Sequence, residues 1–227
     1  MIPYSRQNIS EEDVESVIKV LKSDFLTNGP VIKKFESLCS EKFNAKYCIS
    51  MNSATSALHV ACLSLGLKKN DIVWTTPNTF VASANCALYC GAKIDFVDIN
   101  SQTNLIDIEL LGEKLSKAKK EKKLPKIIIP VHLTGQPTNQ EEIYRLSKKY
   151  NFKIIEDASH SMGASRNKEP VGTCKWSDIT IFSFHPVKII TTGEGGMILT
   201  NNTEVNNKAQ LFRTSGITRE KKYFKNK

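Results

Sequence analysis

Lys188 stands in a setting that is unusual for a lysine. It lies between the apolar pairs Pro186-Val187 and Ile189-Ile190, and the glycine-rich segment Gly193–Gly196 follows shortly after. A lysine with a lowered pKa is a nucleophile that forms Schiff bases, whereas an ordinary lysine extends its ammonium group to solvent. The glycine-rich segment matches neither G-x-x-x-x-G-K-S/T nor G-x-G-x-x-G, which argues against an NTPase or a dinucleotide-binding protein.

An acidic and an aromatic residue occupy comparable positions. Asp157 closes the predicted strand Lys153–Asp157, whose centre is the apolar pair Ile154-Ile155, and an unpaired acid is costly beside a buried apolar strand. A helix cap or a buried hydrogen-bond centre would also explain this acid. Phe80 follows the turn-forming segment Thr76–Thr79. It is expected either to project over the neighbouring strand ends or to pack in the core.

The segment Asn52–Leu58 opens with small and hydroxyl residues. Ser53, Ala54 and Thr55 lie at the expected start of a helix, where free backbone N–H groups and hydroxyls can bind an anion. A plain N-cap by Ser53 is the alternative. The pattern alone leaves both open.

These residues follow strands in an alternating pattern of strands and helices. We predict strands over Tyr47–Met51, Asp71–Thr75, Lys93–Val97, Lys126–His132, Lys153–Asp157, Asp178–Phe184 and Met197–Thr200. An opening helix should be capped by Ser10 and carry an apolar stripe of Val14, Val17, Ile18 and Leu21. Further helices are predicted around Val31–Phe43 and over Ala54–Leu65, Val81–Tyr89, Ile108–Lys120, Asn139–Tyr150 and Val205–Thr214.

This alternation predicts an α/β fold of three αβα layers around a mainly parallel, seven-stranded sheet. In such folds ligands bind at the carboxyl ends of the strands. The helix start at Ser53, Phe80, Asp157 and Lys188 should therefore meet at one edge of the sheet. Pyridoxal 5'-phosphate (PLP) requires a phosphate site, a ring platform, a carboxylate beside its pyridinium nitrogen and a Schiff-base lysine. Because these four features match, we predict PLP as the cofactor.

Five segments also carry a family resemblance: Leu26–Gly29, Asn52–Leu58, Thr76–Phe80, Glu156–His160 and Ser183–Gly196. In these segments the sequence resembles the DegT/StrS-type sugar-nucleotide aminotransferases, whose large domain has the aspartate aminotransferase-like, type I fold of PLP-dependent transferases. The segments span nearly the whole chain, and the last is the most specific.

The resemblance implies a role for individual residues. Lys188 would be the Schiff-base lysine and Asp157 the partner of the pyridinium nitrogen, and both would be catalytic. Phe80 would stack on the ring, and His160, where many relatives have glutamine, would face the phenolic oxygen of the cofactor. The phosphate would be held by Ala54, Thr55 and Ser183, with Ser53 nearby.

The resemblance also implies a substrate. His160 and the segment His185–Thr192 are most similar to the transaminase of pseudaminic acid biosynthesis. That enzyme aminates C4 of a UDP-linked 4-keto-6-deoxy-HexNAc sugar, with glutamate as the amino donor. The residues implied to contact the substrate are Tyr4, Asp24, Phe25, Leu26 and Thr27. The alternatives are an aminotransferase for another nucleotide-linked keto sugar and a truncated, non-catalytic PLP-binding protein. A related dehydratase has histidine in place of the lysine, so Lys188 argues against it.

Composition excludes several other classes. With 227 residues, 40% of them hydrophobic, the chain can bury a core and is not a disordered protein. No stretch approaches the ~20 apolar residues of a membrane span, and the N-terminus does not resemble a signal peptide. The six cysteines form no C-x-x-C pair, which argues against a metal site and favours reduced thiols in the cytoplasm.

The chain carries a net charge of +9, which favours an anionic partner such as a diphosphate-linked sugar. The lysine-rich segment Lys114–Lys126 lacks interleaved aromatic residues, so we expect a solvated face and no nucleic-acid contact.

We expect residues 1–227 to form an N-terminal segment and one large PLP-binding domain, without the family's small C-terminal domain. The family implies a homodimer with shared sites. The absence of Lys and Arg between Asn52 and Leu65 agrees, because a partner would then supply a cation for the phosphate.

Overall fold

The structure is a computed structural model that describes residues 1–3 and 5–218. Within this part of the chain, one sheet has seven strands. Their order across the sheet is β1 (Tyr47–Met51), β9 (Gly196–Thr200), β8 (Ile179–Ser183), β5 (Lys153–Asp157), β4 (Ile127–Ile128), β2 (Ile72–Thr75) and β3 (Lys93–Phe96). Strand β9 is antiparallel to both β1 and β8, and every other neighbouring pair is parallel.

Helices cover both faces of this sheet. One face is covered by α3 (Ala54–Ser64), α4 (Ala82–Tyr89) and α7 (Thr203–Arg213). The other is covered by α2 (Pro30–Phe43), α5 (Ile108–Lys120) and α6 (Gln140–Tyr150). The predicted fold class, three αβα layers around a mainly parallel sheet, is confirmed.

The adjacent isoleucines of the central strands explain why both faces need a cover. Ile127 and Ile155 pack under α3 and α4, whereas their neighbours Ile128 and Ile154 pack under α5 and α6. All four side chains are buried. A continuous apolar run is therefore required in these strands, because successive side chains point to opposite faces of the sheet and helices bury both faces.

The strand predicted over Lys126–His132 is shorter than expected. It is regular only over Ile127–Ile128, since Pro130 has no N–H group to donate to a neighbouring strand. Val131 still makes one isolated parallel bridge to Asp157. The chain then turns away from the sheet through the 3₁₀ turn Leu133–Gly135.

A short hairpin was not predicted. Strands β6 (Ser165–Arg166) and β7 (Glu169–Pro170) pair in antiparallel fashion across Asn167 and Lys168. Both turn residues have positive φ, which is the conformation of a tight type I′ turn. Two strands of two residues each are too short to show an alternating hydrophobic pattern, so the sequence carries no signal for them.

The opening helix α1 (Glu11–Leu21) begins as predicted. Ser10 Oγ accepts the N–H of Asp13 at 3.2 Å, and the Asp13 carboxylate accepts the N–H of Ser10 at 2.8 Å. No residue of α1 is buried, so its predicted apolar stripe is exposed on the described chain. No helix of residues 1–3 and 5–218 is long and apolar enough to cross a membrane.

Candidate active site

A cavity of about 570 Å³ opens at the edge of the sheet where β5 and β8 end and β9 begins. This volume is typical of a small-molecule site. All the residues that the sequence assigned to cofactor binding line it: Ser53, Ala54, Thr55, Phe80, Asp157, His160, Ser183 and Lys188. The fold therefore brings together side chains that are far apart in the sequence.

The start of α3 faces this cavity with unpaired donors. Ser53 caps the helix, since its Oγ accepts the N–H of Ser56 at 3.1 Å. The N–H groups of Ala54 and Thr55 have no partner among the described residues. The segment is thus both an N-cap and a set of free donors at the positive end of the helix dipole.

Gly196 holds this helix start close to β9. An added β-carbon on Gly196 would overlap the carbonyl group of Ser53 and lie 2.5 Å from the nitrogen of Ala54. Both contacts are with backbone atoms, which cannot rotate away as a side chain can. Only a residue without a side chain allows so close an approach.

Gly196→Ala is expected to lower the free energy of unfolding by about 3 kcal/mol or more, because two backbone segments must separate. Gly112→Ala is the matched control, since Gly112 lies within α5 and an added β-carbon would meet nothing within 4 Å. That variant should gain about 0.5–1 kcal/mol. Urea unfolding measures both. A Gly196→Ala protein within about 1 kcal/mol of the parent would contradict the close contact.

Asp157 is the buried acid of the cavity, with 5% of its surface exposed. Ser83 Oγ donates a hydrogen bond to Oδ2 at 2.6 Å. Ser159 donates to Oδ1 through its Oγ at 2.6 Å and its N–H at 3.2 Å. No lysine, arginine or histidine of the described chain forms an ion pair with this carboxylate. Hydroxyl groups therefore fix its position without supplying a positive charge.

Lys188 lies in the loop between β8 and β9 and reaches the same cavity. Two backbone hydrogen bonds close this loop, from Phe184 N–H to Gly195 O at 3.0 Å and from Thr192 N–H to Phe184 O at 3.1 Å. Partial burial lowers the pKa of the Lys188 amine, and the negative charge of Asp157 opposes that shift. A lowered pKa increases the fraction of neutral, nucleophilic amine at a given pH.

The remaining predicted side chains complete the wall of the cavity. Phe80 is 70% exposed, so one face of its ring is available to a ligand. His160 Nδ1 accepts the N–H of Thr134 at 3.2 Å. Burial, and then the charge of Lys188, lower the pKa of this imidazole, while Asp157 acts in the opposite direction. The lowered pKa favours the neutral form of the His160 imidazole.

Four of the five residues predicted to contact substrate do not line this cavity. Asp24, Phe25, Leu26 and Thr27 lie in an exposed segment between α1 and α2, and none of them lines the cavity wall. Tyr4 lies outside the described residues. Their role in substrate binding stays a prediction.

Three residues that shape the site were not predicted: Ser83, Ser159 and Thr134. Ser83 lies in α4, three residues after the predicted site residue Phe80, and is fully buried. Small residues are common in a helix that packs against a sheet, so the sequence carries no distinct signal for this one. Ser159 follows Asp157 by two residues, the spacing at which an aspartate accepts hydrogen bonds from its own turn.

Comparisons with known proteins agree with this geometry. The family model described as "DegT/DnrJ/EryC1/StrS aminotransferase family" matches residues 7–227. A Campylobacter jejuni protein named UDP-4-amino-4,6-dideoxy-N-acetyl-beta-L-altrosamine transaminase is 42% identical over 221 residues, which cover 97% of this chain and 57% of the relative. The chain therefore spans a little over half the length of that relative.

Two solved structures are similar in fold and in sequence. Helicobacter pylori PseC, an aminotransferase involved in the biosynthesis of pseudoaminic acid, superposes with a TM-score of 0.86 at 31% identity, covering 98% of this chain and 58% of that one. NtdA from Bacillus subtilis, solved with bound cofactor PMP, superposes with a TM-score of 0.78 at 32% identity, covering 90% and 45% of the two chains. The family match over nearly the whole sequence places this chain in the DegT/DnrJ/EryC1/StrS aminotransferase family.

Proposed function

We propose that this chain is the cofactor-binding part of a PLP-dependent aminotransferase that acts on a nucleotide-linked keto sugar. The observation that carries the proposal is Asp157: a buried carboxylate that forms no ion pair within the described part of the chain, in one cavity with Lys188 and with the free N–H groups that start α3. The family of the chain and the cofactor named for the NtdA structure support it.

The residues of the cavity fit PLP. A buried carboxylate that lacks a cation is costly, and a protonated ring nitrogen beside Asp157 would supply the missing positive charge. The N–H groups of Ala54 and Thr55, with the hydroxyls of Thr55 and Ser183, would hold the phosphate. The exposed ring of Phe80 would cover one face of the cofactor ring.

Bound PLP supplies a ring that accepts the electron pair left on the α-carbon of an amino donor when its proton is removed. The residues of this chain supply the rest. The negative charge of Asp157 would keep a proton on the ring nitrogen. Lys188 Nζ would hold the cofactor between turnovers and, as a free amine, would take the proton from the α-carbon of the donor as a general base. Its lowered pKa suits that role, because only the neutral amine accepts a proton.

Ser83→Ala is expected to weaken PLP binding by about 10-fold or more, the size of one lost hydrogen bond to a charged group. Ser83 Oγ donates to Asp157 at 2.6 Å, so its loss frees the carboxylate to rotate away from the ring nitrogen. Ser64→Ala is the matched control, since Ser64 Oγ is buried and has no hydrogen-bond partner within the described chain. Titration with PLP measures both. Equal affinities of parent and Ser83→Ala protein would rule out this role.

We propose L-glutamate as the amino donor and C4 of a UDP-linked 4-keto-6-deoxy-HexNAc sugar as the acceptor. The names of the Campylobacter jejuni relative and of PseC support the choice of acceptor, as does His160. Tyr4, Asp24, Phe25, Leu26 and Thr27 remain the proposed substrate contacts. A sugar carried by another nucleotide is the alternative.

A panel of keto sugars tests the proposed substrate. The PLP-loaded protein is first mixed with glutamate, and the loss of the cofactor's imine absorbance reports the first half of the reaction. UDP- and dTDP-linked 3-keto and 4-keto sugars are then added separately. The UDP-linked 4-keto-6-deoxy-HexNAc should restore the absorbance fastest, and faster recovery with a dTDP-linked or 3-keto sugar would reject the assignment.

We propose that the protein works as a homodimer whose active sites are shared between subunits. Lys188 is the one lysine or arginine among the described residues that line the cavity. Helix N–H groups and hydroxyls carry only partial charges, so a phosphate dianion would gain from a cation of a second subunit.

The described cysteines are all free thiols, which agrees with action in the reducing cytoplasm.

A further inference from the structure

Thr134 has a backbone conformation that is rare for its residue type. Its φ of 56° and ψ of 15° lie in the left-handed region. Of the eleven non-glycine residues with positive φ in residues 1–3 and 5–218, most are asparagine or lysine, and Thr134 alone is β-branched. A β-branched side chain is strained in this region, and such strain collects at functional sites.

The strained turn lies against His160 at two points. The N–H of Thr134 donates to Nδ1 of the imidazole at 3.2 Å. Gly135, with φ of 93°, lies so close to the histidine backbone that an added β-carbon would be 3.0 Å from the carbonyl oxygen of His160. The hydrogen bond fixes the ring, and the close approach of Gly135 leaves no room for a side chain beside the His160 main chain. We call Thr134 and Gly135 the His160 clamp.

The clamp decides which imidazole nitrogen carries the proton. A backbone N–H can only donate, so Nδ1 must accept through its lone pair and cannot be protonated. The single proton of the neutral ring is then on Nε2. Lys188 and Asp157 are the charged groups that act on this ring; burial and Lys188 disfavour the imidazolium form, and Asp157 favours it.

We propose that the His160 clamp is a positioning element that presents His160 to the cavity as a neutral Nε2–H donor. A donor without charge can stabilise an anionic oxygen of the ligand without competing with Lys188 for its proton. The inference deepens the proposed function, and it rests on that function only for the identity of the oxygen, the phenolic oxygen of PLP. The tautomer is a property of the chain itself.

Nitrogen-15 NMR of the histidine side chains tests the tautomer in the protein without added ligand. Protonated and unprotonated imidazole nitrogens have well-separated shifts. We expect His160 in a single Nε2–H form at neutral pH. A proton on Nδ1, or fast exchange between both tautomers, would overturn the proposal whether or not the protein transfers amino groups.

Two glycine variants test whether the His160 clamp determines the tautomer of His160. Gly135→Ala should push His160 away from the N–H of Thr134 and yield a mixture of tautomers. Gly163→Ala is the matched control, because Gly163 also has positive φ, of 81°, but an added β-carbon would meet nothing within 4 Å. An unchanged single tautomer in Gly135→Ala would reject the clamp. If Gly135→Ala does not fold, the tautomer of the parent still decides the proposal.

The effect on the ligand is tested with PLP and two replacements of His160. In His160→Gln the amide oxygen can accept from Thr134 while the amide nitrogen donates to the cavity, whereas leucine can do neither. The absorbance of bound PLP is followed against pH. The midpoint of this titration should rise by about one pH unit in His160→Leu, because the donor is lost, and should return to the parent's value in His160→Gln. If His160→Leu and His160→Gln have the same midpoint as the parent, the donor role is wrong even where PLP binds.

Discussion

Lys188→Ala is expected to lower the rate of amino-group transfer by about 10³-fold or more while the fold is kept. On the proposed function, the variant would lose both the nucleophile that binds the cofactor and the base that moves the proton. The side chain is only half-buried, so its removal leaves no large void in the core. Lys188→Arg is the sharper variant, since it keeps length and charge but its guanidinium does not deprotonate near neutral pH.

Single-turnover absorbance with glutamate measures this effect, and circular dichroism checks the fold. Lys188→Arg should be as inactive as Lys188→Ala, because a positive charge alone does not replace a neutral amine. Lys19→Ala, on the exposed helix α1, should behave as the parent. A rate within tenfold of the parent's in either Lys188 variant would remove this lysine from the mechanism.

Asp157→Asn is expected to cut the rate by about 10²- to 10³-fold, the size typical of one lost electrostatic contact at a reacting centre. The amide has the shape of the carboxylate, and the hydroxyls of Ser83 and Ser159 can still bond it, so the fold should be unaffected. On the proposed function, the variant would lose the negative charge that keeps the cofactor ring nitrogen protonated. The loss should lie in kcat more than in the affinity for glutamate.

A remote carboxylate is the control for this change. Asp107 caps α5 through its side chain, and asparagine caps helices as well as aspartate does, so Asp107→Asn should leave rate and stability unchanged. Stopped-flow absorbance at several glutamate concentrations separates rate from affinity. If Asp157→Asn reacts as fast as Asp107→Asn, another group must face the ring nitrogen.

The sequence predicted the sheet well because its strands are buried on both faces. Adjacent isoleucines such as Ile127-Ile128 and Ile154-Ile155 can be satisfied only between two helical layers. Strand ends were harder to predict. The single residue Pro130 ends the regular pairing of β4, although the apolar segment continues to Val131.

The site was predictable where the chemistry departs from the local pattern. Asp157 ends an apolar strand, and Lys188 interrupts apolar residues, so both stand out in the sequence. Ser83 does not stand out, because small residues are common in a helix packed against a sheet. The backbone conformation of Thr134 was not predictable, because β-branched residues rarely adopt a positive φ. Its role arises only from its distance to His160 in the folded chain.

The central claim, that Lys188 carries the cofactor, is tested most directly by reduction with borohydride followed by peptide mapping. PLP-loaded protein is reduced, digested and analysed by mass spectrometry, and Lys188→Arg protein is treated in parallel. The account predicts one reduced adduct, on the peptide that contains Lys188, and none on that peptide in the variant. A reduced adduct on another lysine, or PLP bound with no adduct at all, would contradict it.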